Sequence, residues 1–297
     1  MRRRDFMAGL AAVAACPAET LPLGNSGMSL HVGPEVDKPF VYPIRTVSGA
    51  ILSRGYPVEP RPGETTDHVW HRGIWYGHGS VNGADFWREL GKDKSGRLVA
   101  LSAPRQSAGR ASLQLALTPP SGPAMGTVRQ TYSIADRGPL RFLDTEIVIM
   151  ADRGVALTFA DTDDGGFAIR LSDDFAEAKG ARLLNSAGQS GTKNVWGKPA
   201  RWVHYSTAEA GVAMFDHPSN LRHPTRWHAR GYSLCSANPF AERSFGGQKP
   251  PGDSYNLPAG EKLAFVYRVV IHDGPLEPAA IEKLYAEFGP RVSTAEK

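Results

Sequence analysis

The feature that most narrows what this chain can fold into is the recurrence of apolar residues at every second position. Leu143, Thr145, Ile147 and Ile149 fall on one face of an extended segment while Asp144 and Glu146 fall on the other, as in a strand with one buried side. Leu263, Phe265, Tyr267, Val269 and Ile271 repeat the pattern, and Ser112 to Leu117 alternates likewise. Turn-forming clusters separate such runs: Pro119-Pro120-Ser121-Gly122-Pro123, Asp136-Arg137-Gly138-Pro139 and Asp163-Asp164-Gly165-Gly166, at spacings suited to an antiparallel meander. Together with 32 Gly and 23 Pro, this predicts an all-β fold, a large antiparallel β-sandwich. One helix is expected at the C-terminus, where Pro278 suits a first helical position and Ile281, Leu284, Tyr285 and Phe288 share a face.

The N-terminus reads as an export signal. Arg2, Arg3 and Arg4 precede the apolar run Ala8 to Ala15, which is too short to span a bilayer. Arg3-Arg4-Asp5-Phe6-Met7 has the twin-arginine form. Val13-Ala14-Ala15-Cys16 fits a lipobox, and Ala-x-Ala cleavage nearby is the competing outcome. The expected location is periplasmic or secreted, with a lipid on Cys16 as the one predicted membrane contact. Residues 1–16 are then signal, 17–37 a Gly, Pro and Ser-rich tether ending in a leading strand, 38–290 one domain and 291–297 a tail. Cys16 and Cys235 are the two cysteines, so no disulfide is expected once Cys16 is processed, and Cys235 reads as a small buried hydrophobe.

The net charge of +4 is partly the signal's, leaving about +2 beyond it. No basic stretch interleaved with aromatics marks a nucleic-acid face, and no basic amphipathic helix marks a membrane surface. The sequence does not address the oligomeric state.

Chemistry-bearing residues concentrate in two segments, Asp67 to Trp87 and Phe215 to His228, which hold six of the nine histidines on loop-prone chain. Imidazole exchanges protons near neutral pH, and indole faces pack on the C–H face of sugars while Asn, Arg and Asp bind their hydroxyls. Trp75, Trp87 and Trp227 beside Arg72, Asn82, Asn220 and Arg222 supply that mixture. Competing structural roles are plain for several: a core position for any one Trp, a turn cap for His68, and Asx turns for Asp216 and Asp164. A divalent metal is a second possibility, since His68-x-x-His71 with His78, His217, His223 or His228 offers enough imidazoles. His68 and His71 would share an ion only if the chain turns between them. No other cofactor is expected.

These segments resemble the bacterial family named for the methane oxygenase subunit PmoA. The marks are Asp67-His68-x-x-His71-Arg72-Gly73-x-Trp75, His78-Gly79, Val81-Asn82-Gly83-x-Asp85-Phe86-Trp87, Asp216-His217-Pro218-Ser219-Asn220 and Asn238-Pro239-Phe240, spread over about Phe40 to Pro290. Trp70 stands where that pattern commonly has His, which weakens the metal reading. Methane oxidation does not follow, because beyond the signal no apolar stretch approaches the ~18 residues of a membrane span. The resemblance implies a galactose mutarotase-like supersandwich and a carbohydrate or sugar-derived ligand. On it, His71, His78 or His217 is the candidate acid and Asp85, Asp216 or Glu242 the candidate base. Substrate contacts are expected from His68, Arg72, Trp75, Asn82, Trp87, Asp164, Asn220, Arg222, Trp227, His228 and Asn238. The alternatives are a non-catalytic carbohydrate-binding or surface module and a metal-dependent hydrolase or oxygenase. The enzymatic expectation requires the two segments to meet in one hollow.

Overall fold

The structure, a computed structural model, describes residues 19–248 and 251–289. Among them the strands form two large antiparallel sheets. The first has seven strands in the order Glu19–Pro22, Ser29–Val32, Phe40–Tyr42, Ile74–His78, Gly165–Arg170, Leu234–Asn238 and Arg226–Trp227. The second has nine. Arg182–Asn185, Trp202–Ser206, Ala210–Asp216, Lys262–Asp273, Leu140–Met150, Gly126–Arg137, Arg110–Thr118 and Arg97–Ala100 follow one another across it, and Arg105–Ser107 also pairs with Arg110–Thr118. A small pair, Leu157–Phe159 with Tyr255–Leu257, closes one end.

The core lies between the sheets and follows from the alternation. Ile74, Tyr76, Phe167, Ile169, Cys235 and Ala237 face inward from the first sheet, and meet Leu143, Ile147, Ile149, Phe265, Tyr267, Val269 and Ile271 from the second. The expected sandwich is therefore the observed one. Cys235 is a buried free cysteine whose thiol burial pushes well up, so it is inert. On the outer face of the second sheet, Phe142, Trp202, Ala213, Phe215 and Val270 are covered by Ile281, Leu284, Tyr285 and Phe288 of the C-terminal helix, Pro278–Phe288. That helix is short for one stable in isolation, so its apolar stripe needs this sheet to pack on.

Two sequence expectations are corrected. Part of the supposed tether belongs to the fold: Glu19–Pro22 and Ser29–Val32 pair as the first two strands, and Leu23, Met28, Leu30 and Val32 are buried. Strands of four residues are too short to show a period. Gly165-Gly166 opens a strand instead of closing a turn, because a Cβ on Gly166 would lie 1.9 Å from the Ala237 carbonyl oxygen. Glycine there serves close strand approach. The export signal, including Cys16, and the C-terminal tail lie outside the described residues. Among the described residues no helix is long and apolar enough to cross a membrane.

Buried histidines give the fold a pH dependence. His78 is pushed down to about 4 by burial, offset in part by its bond to the Ala160 carbonyl. His204 is pushed down to about 3 by burial and by the neighbouring His272, whose Nε2 lies 2.9 Å from its own. His272 Nδ1 donates to the Gly274 carbonyl at 2.8 Å, so its Nε2 accepts and His204 donates. Each ring is neutral when folded and titrates near 6.5 when unfolded. The unfolded chain therefore binds more protons below that value, and stability falls with pH down to the folded values. His78 and His204 together are expected to remove roughly 3 kcal/mol per pH unit below pH 6.5. Urea unfolding at pH 7 and pH 5 measures the slope, and His204→Gln should flatten it; equal stability at both values would contradict this account.

Candidate active site on the outer face of the first sheet

Strand alternation that sends Ile74 and Tyr76 into the core sends Trp75 outward, together with Ala168 and Leu234 of the neighbouring strands. Arg170 closes its strand on the same side. The chain reaches this face through a tight turn. His68 adopts φ 44°, His71 N–H donates to the His68 carbonyl at 3.0 Å, and Gly73 follows at φ 52° with no room for a Cβ beside the Val41 carbonyl. The turn that period-two spacing did not predict thus brings His68 and His71 together.

Their rings stack at 4.8 Å with planes 3° apart. The column continues inward through Trp75, 5.3 Å from His71, to Trp87 at 5.3 Å, and outward to Tyr232, 6.0 Å from His68. Trp75 and Trp87 are fully buried, whereas Trp70 and Tyr232 at the outer end are part-exposed. Arg230 spans from Tyr232 to Trp196, lying 5.6 and 5.3 Å from their rings.

Asp67 organises the outer end. Its Oδ2 lies 2.7 Å from His68 Nδ1, and its Oδ1 accepts from Arg54 Nη1 at 2.5 Å and Arg170 Nη2 at 3.2 Å. Burial would raise the Asp67 carboxyl, but Arg170, His68 and Arg54 outweigh it and hold the group below the usual carboxylate range. An ionised Asp67 takes the Nδ1 proton of His68 as a hydrogen bond and leaves Nε2 as the basic atom. The His68 side chain is 39% exposed.

His71 behaves differently. Burial, reinforced by Arg170, His68, Lys38 and Arg54, takes it far below the ordinary histidine range. It is therefore neutral, with an N–H to donate but no imidazolium proton. Both of its nitrogens are nevertheless buried without a partner, as are Arg170 Nε and Nη1, Arg54 Nε, Trp75 Nε1 and Trp87 Nε1. Among the described residues no three His, Cys, Asp or Glu side chains converge to hold a metal ion.

The other expected site residues are dispersed. His78 faces the interior, 5.6 Å from Phe159 and 5.0 Å from Phe240, with Nε2–H on the Ala160 carbonyl. Asp85 closes an Asx turn, its Oδ1 accepting from the Trp87 and Arg88 amides at 2.8 and 2.9 Å and its Oδ2 lying 3.6 Å from Arg88 Nη1. Asp164 pairs with Arg88 at 2.5 Å. Asn82 bridges to the Ala156 carbonyl and Thr158 amide. Arg72 pairs with Glu89 at 2.5 Å beside the Phe40 ring, next to the Trp87 end of the column. Trp227 is a core residue, its Nε1–H on the Ala200 carbonyl, and offers no sugar platform. His228 sits at the edge of the outer face, with Nδ1 on the Asp163 carbonyl and Trp196 6.5 Å away. Asn238 holds the Thr162 and Asp163 carbonyls.

The Asp216 segment does not join this face. Asp216 is buried and accepts from Asn220 Nδ2 at 2.7 Å, His223 Nδ1 at 2.8 Å and the Thr225 amide at 2.9 Å. Asn220 also ties to both backbone groups of Val266. His217 contacts Ser219 and packs edge-on to Phe288 of the C-terminal helix, 5.0 Å away. The second segment is thus split: Asp216, His217, Asn220 and His223 pack near the C-terminal helix, Trp227 enters the core, and His228 alone reaches the edge of the His68 face, so the single hollow expected from sequence is not formed. Arg222 and Glu242, 3.1 Å apart, line a separate cleft of about 560 Å³ with Arg226 and Arg243.

Sequence reasoning passed over Asp67 as the partner of His68, and Arg170, Arg54, Tyr232, Arg230 and Trp196 altogether. A charge ending the apolar run Phe167-Ala168-Ile169 was the signal for Arg170.

Fold and site together define an antiparallel two-sheet sandwich that carries a histidine, carboxylate, arginine and aromatic cluster on the outer face of its smaller sheet. The chain belongs to DUF6807, a family of unknown function whose model matches residues 25–286; the PmoA-named family that its motifs resemble is not the one matched. No curated protein matches the sequence. Among solved structures it is similar to a candidate aldose 1-epimerase from Escherichia coli K12, with 11% identity, TM-score 0.44, and 87% of this chain and 99% of that one covered. It is also similar to the Slr1438 protein of Synechocystis sp. PCC 6803, with 13% identity, TM-score 0.40, and 90% and 99% covered. A galactose mutarotase related enzyme from Lactobacillus acidophilus aligns with 8% identity, TM-score 0.38, and 87% and 100% covered.

Proposed function

We propose that this protein is an exported carbohydrate-active enzyme in which His68 exchanges a proton with a sugar on the outer face of the first sheet. The observation that carries the reading is the 2.7 Å Asp67–His68 pair, stacked between His71 and Tyr232 with the imidazole part-exposed. A carboxylate that fixes one imidazole nitrogen leaves the other as a positioned base. Trp70 and Tyr232 supply ring faces for a pyranose, and the neutral His71 and Arg170 supply donors. The one carboxylate against His68 is already engaged by two arginines, so the paired free carboxylates of a typical glycoside hydrolase are not assembled here. Isomerase or lyase chemistry fits better. The part-exposed Trp70 and Tyr232 rings beside open donors and the signal-like order of Arg2 to Ala15 support the carbohydrate and export parts of the proposal.

The test is a screen of aldoses, uronic acids and glycan fragments by proton NMR, following anomer exchange, loss of C–H signal in D2O and new alkene signals. Conversion that disappears in His68→Asn supports the reading. Binding that survives His68→Asn with no conversion of any sugar would make the protein a carbohydrate-binding module.

A further inference from the structure

We infer that the ligand of this face carries an oxyanion, a uronic-acid carboxylate or a sulfate or phosphate ester, received by Arg170 beside His71; this rests on the sugar reading above. Arg54 and Arg170 are 1% and 0% exposed and share the single carboxylate of Asp67. Arg54 is otherwise well satisfied, donating to the carbonyls of Thr65, Asp67, His68 and His71. Arg170 is not. It has the 3.2 Å contact with Asp67 and the face of Tyr232 at 4.7 Å, and among the described residues its Nε and Nη1 have no partner.

A fully buried guanidinium with open donors is costly unless something completes it. The surroundings point to what that is. Beyond this trio, buried Lys38 and half-buried Arg72 share Glu89, so around the ring column four cations are directly paired with two carboxylates, while Asp173 and Asp37 act on Arg170 and Lys38 without direct contact. Apart from one acceptor nitrogen of His71, every unpartnered atom of the cluster is an N–H donor: Arg54 Nε, Arg170 Nε and Nη1, Trp75 Nε1 and Trp87 Nε1. Open donors around a buried guanidinium are complementary to a group that only accepts and is negative. Tyr232, part-exposed and lying on the guanidinium, is the side chain that must yield as the anion arrives.

The experiment is calorimetric titration of the full chain with D-glucuronate against D-glucose, D-galacturonate against D-galactose, and glucose 6-sulfate and 6-phosphate. Acetate and sulfate alone serve as bare anions. At least one acidic sugar is expected to bind tenfold or more tightly than its neutral counterpart, and the arm that succeeds identifies the anion. Arg170→Met should abolish that preference, and Arg170→Lys, which keeps a charge at the buried position, should restore part of it. Equal binding of neutral and acidic sugars, or a preference unchanged in both variants, overturns the inference and leaves the sugar reading standing. Arg170-dependent binding of acetate or sulfate with no sugar bound does the reverse: the anion site stands and the sugar reading fails.

Discussion

His68→Asn is expected to lower turnover of the sugar substrate by ~10²–10⁴-fold, the usual worth of a positioned acid or base, while leaving the thermal midpoint nearly unchanged. Asparagine is chosen because His68 sits at φ 44°, a left-handed conformation that asparagine adopts more readily than most residues. The turn that presents Asp67 and His71 should survive. Asparagine can also keep a hydrogen bond to Asp67, so the substitution removes the basic nitrogen and little else. A companion His68→Gly chain keeps the turn and opens the ring position between His71 and Tyr232; added imidazole should recover part of its turnover. Full activity in His68→Asn, or loss of activity accompanied by a large fall in melting temperature, would remove His68 from the chemistry.

Asp216→Ala is expected to act through stability alone. The carboxylate is fully buried and completes bonds to Asn220, His223 and Thr225. Removing one member of such a buried, hydrogen-bonded pair costs about 3–5 kcal/mol, a fall of the order of 10 °C in the melting temperature for a domain of this size. Below that temperature, turnover should match the unaltered chain, because none of the groups bonded to Asp216 belongs to the His68–Tyr232 ring column. The outcome against this view is an unchanged melting temperature with turnover lost, which would make Asp216 the base and move the active site to the helix-covered side.

What could be read in advance follows the range of the forces involved. Alternation in Leu140–Met150 and Lys262–Asp273 was legible because those strands are long and each buries one face. Gly165–Arg170 was obscured because it is buried on both sides, so no period shows. In the site, the His68-x-x-His71 spacing stood out, but its meaning depended on a single left-handed residue. Trp227 and His78 looked equal to Trp75 and His71 as residue types. They differ because their strands turn them inward, where Trp227 meets the Ala200 carbonyl and His78 the Ala160 carbonyl. The partners Asp67 and Arg170 lie 103 positions apart, beyond what any local pattern can couple.

From its residues alone, then, this chain was bound to become a layered antiparallel sandwich ending in an amphipathic helix, because period, turn chemistry and composition are local and agree with one another. Which histidine faces solvent, which carboxylate orients it and which guanidinium is left with open donors were decided only by the packing of strands remote in sequence. Pairing register assigns each side chain to the core or to an outer face, and a shift of one residue exchanges the two.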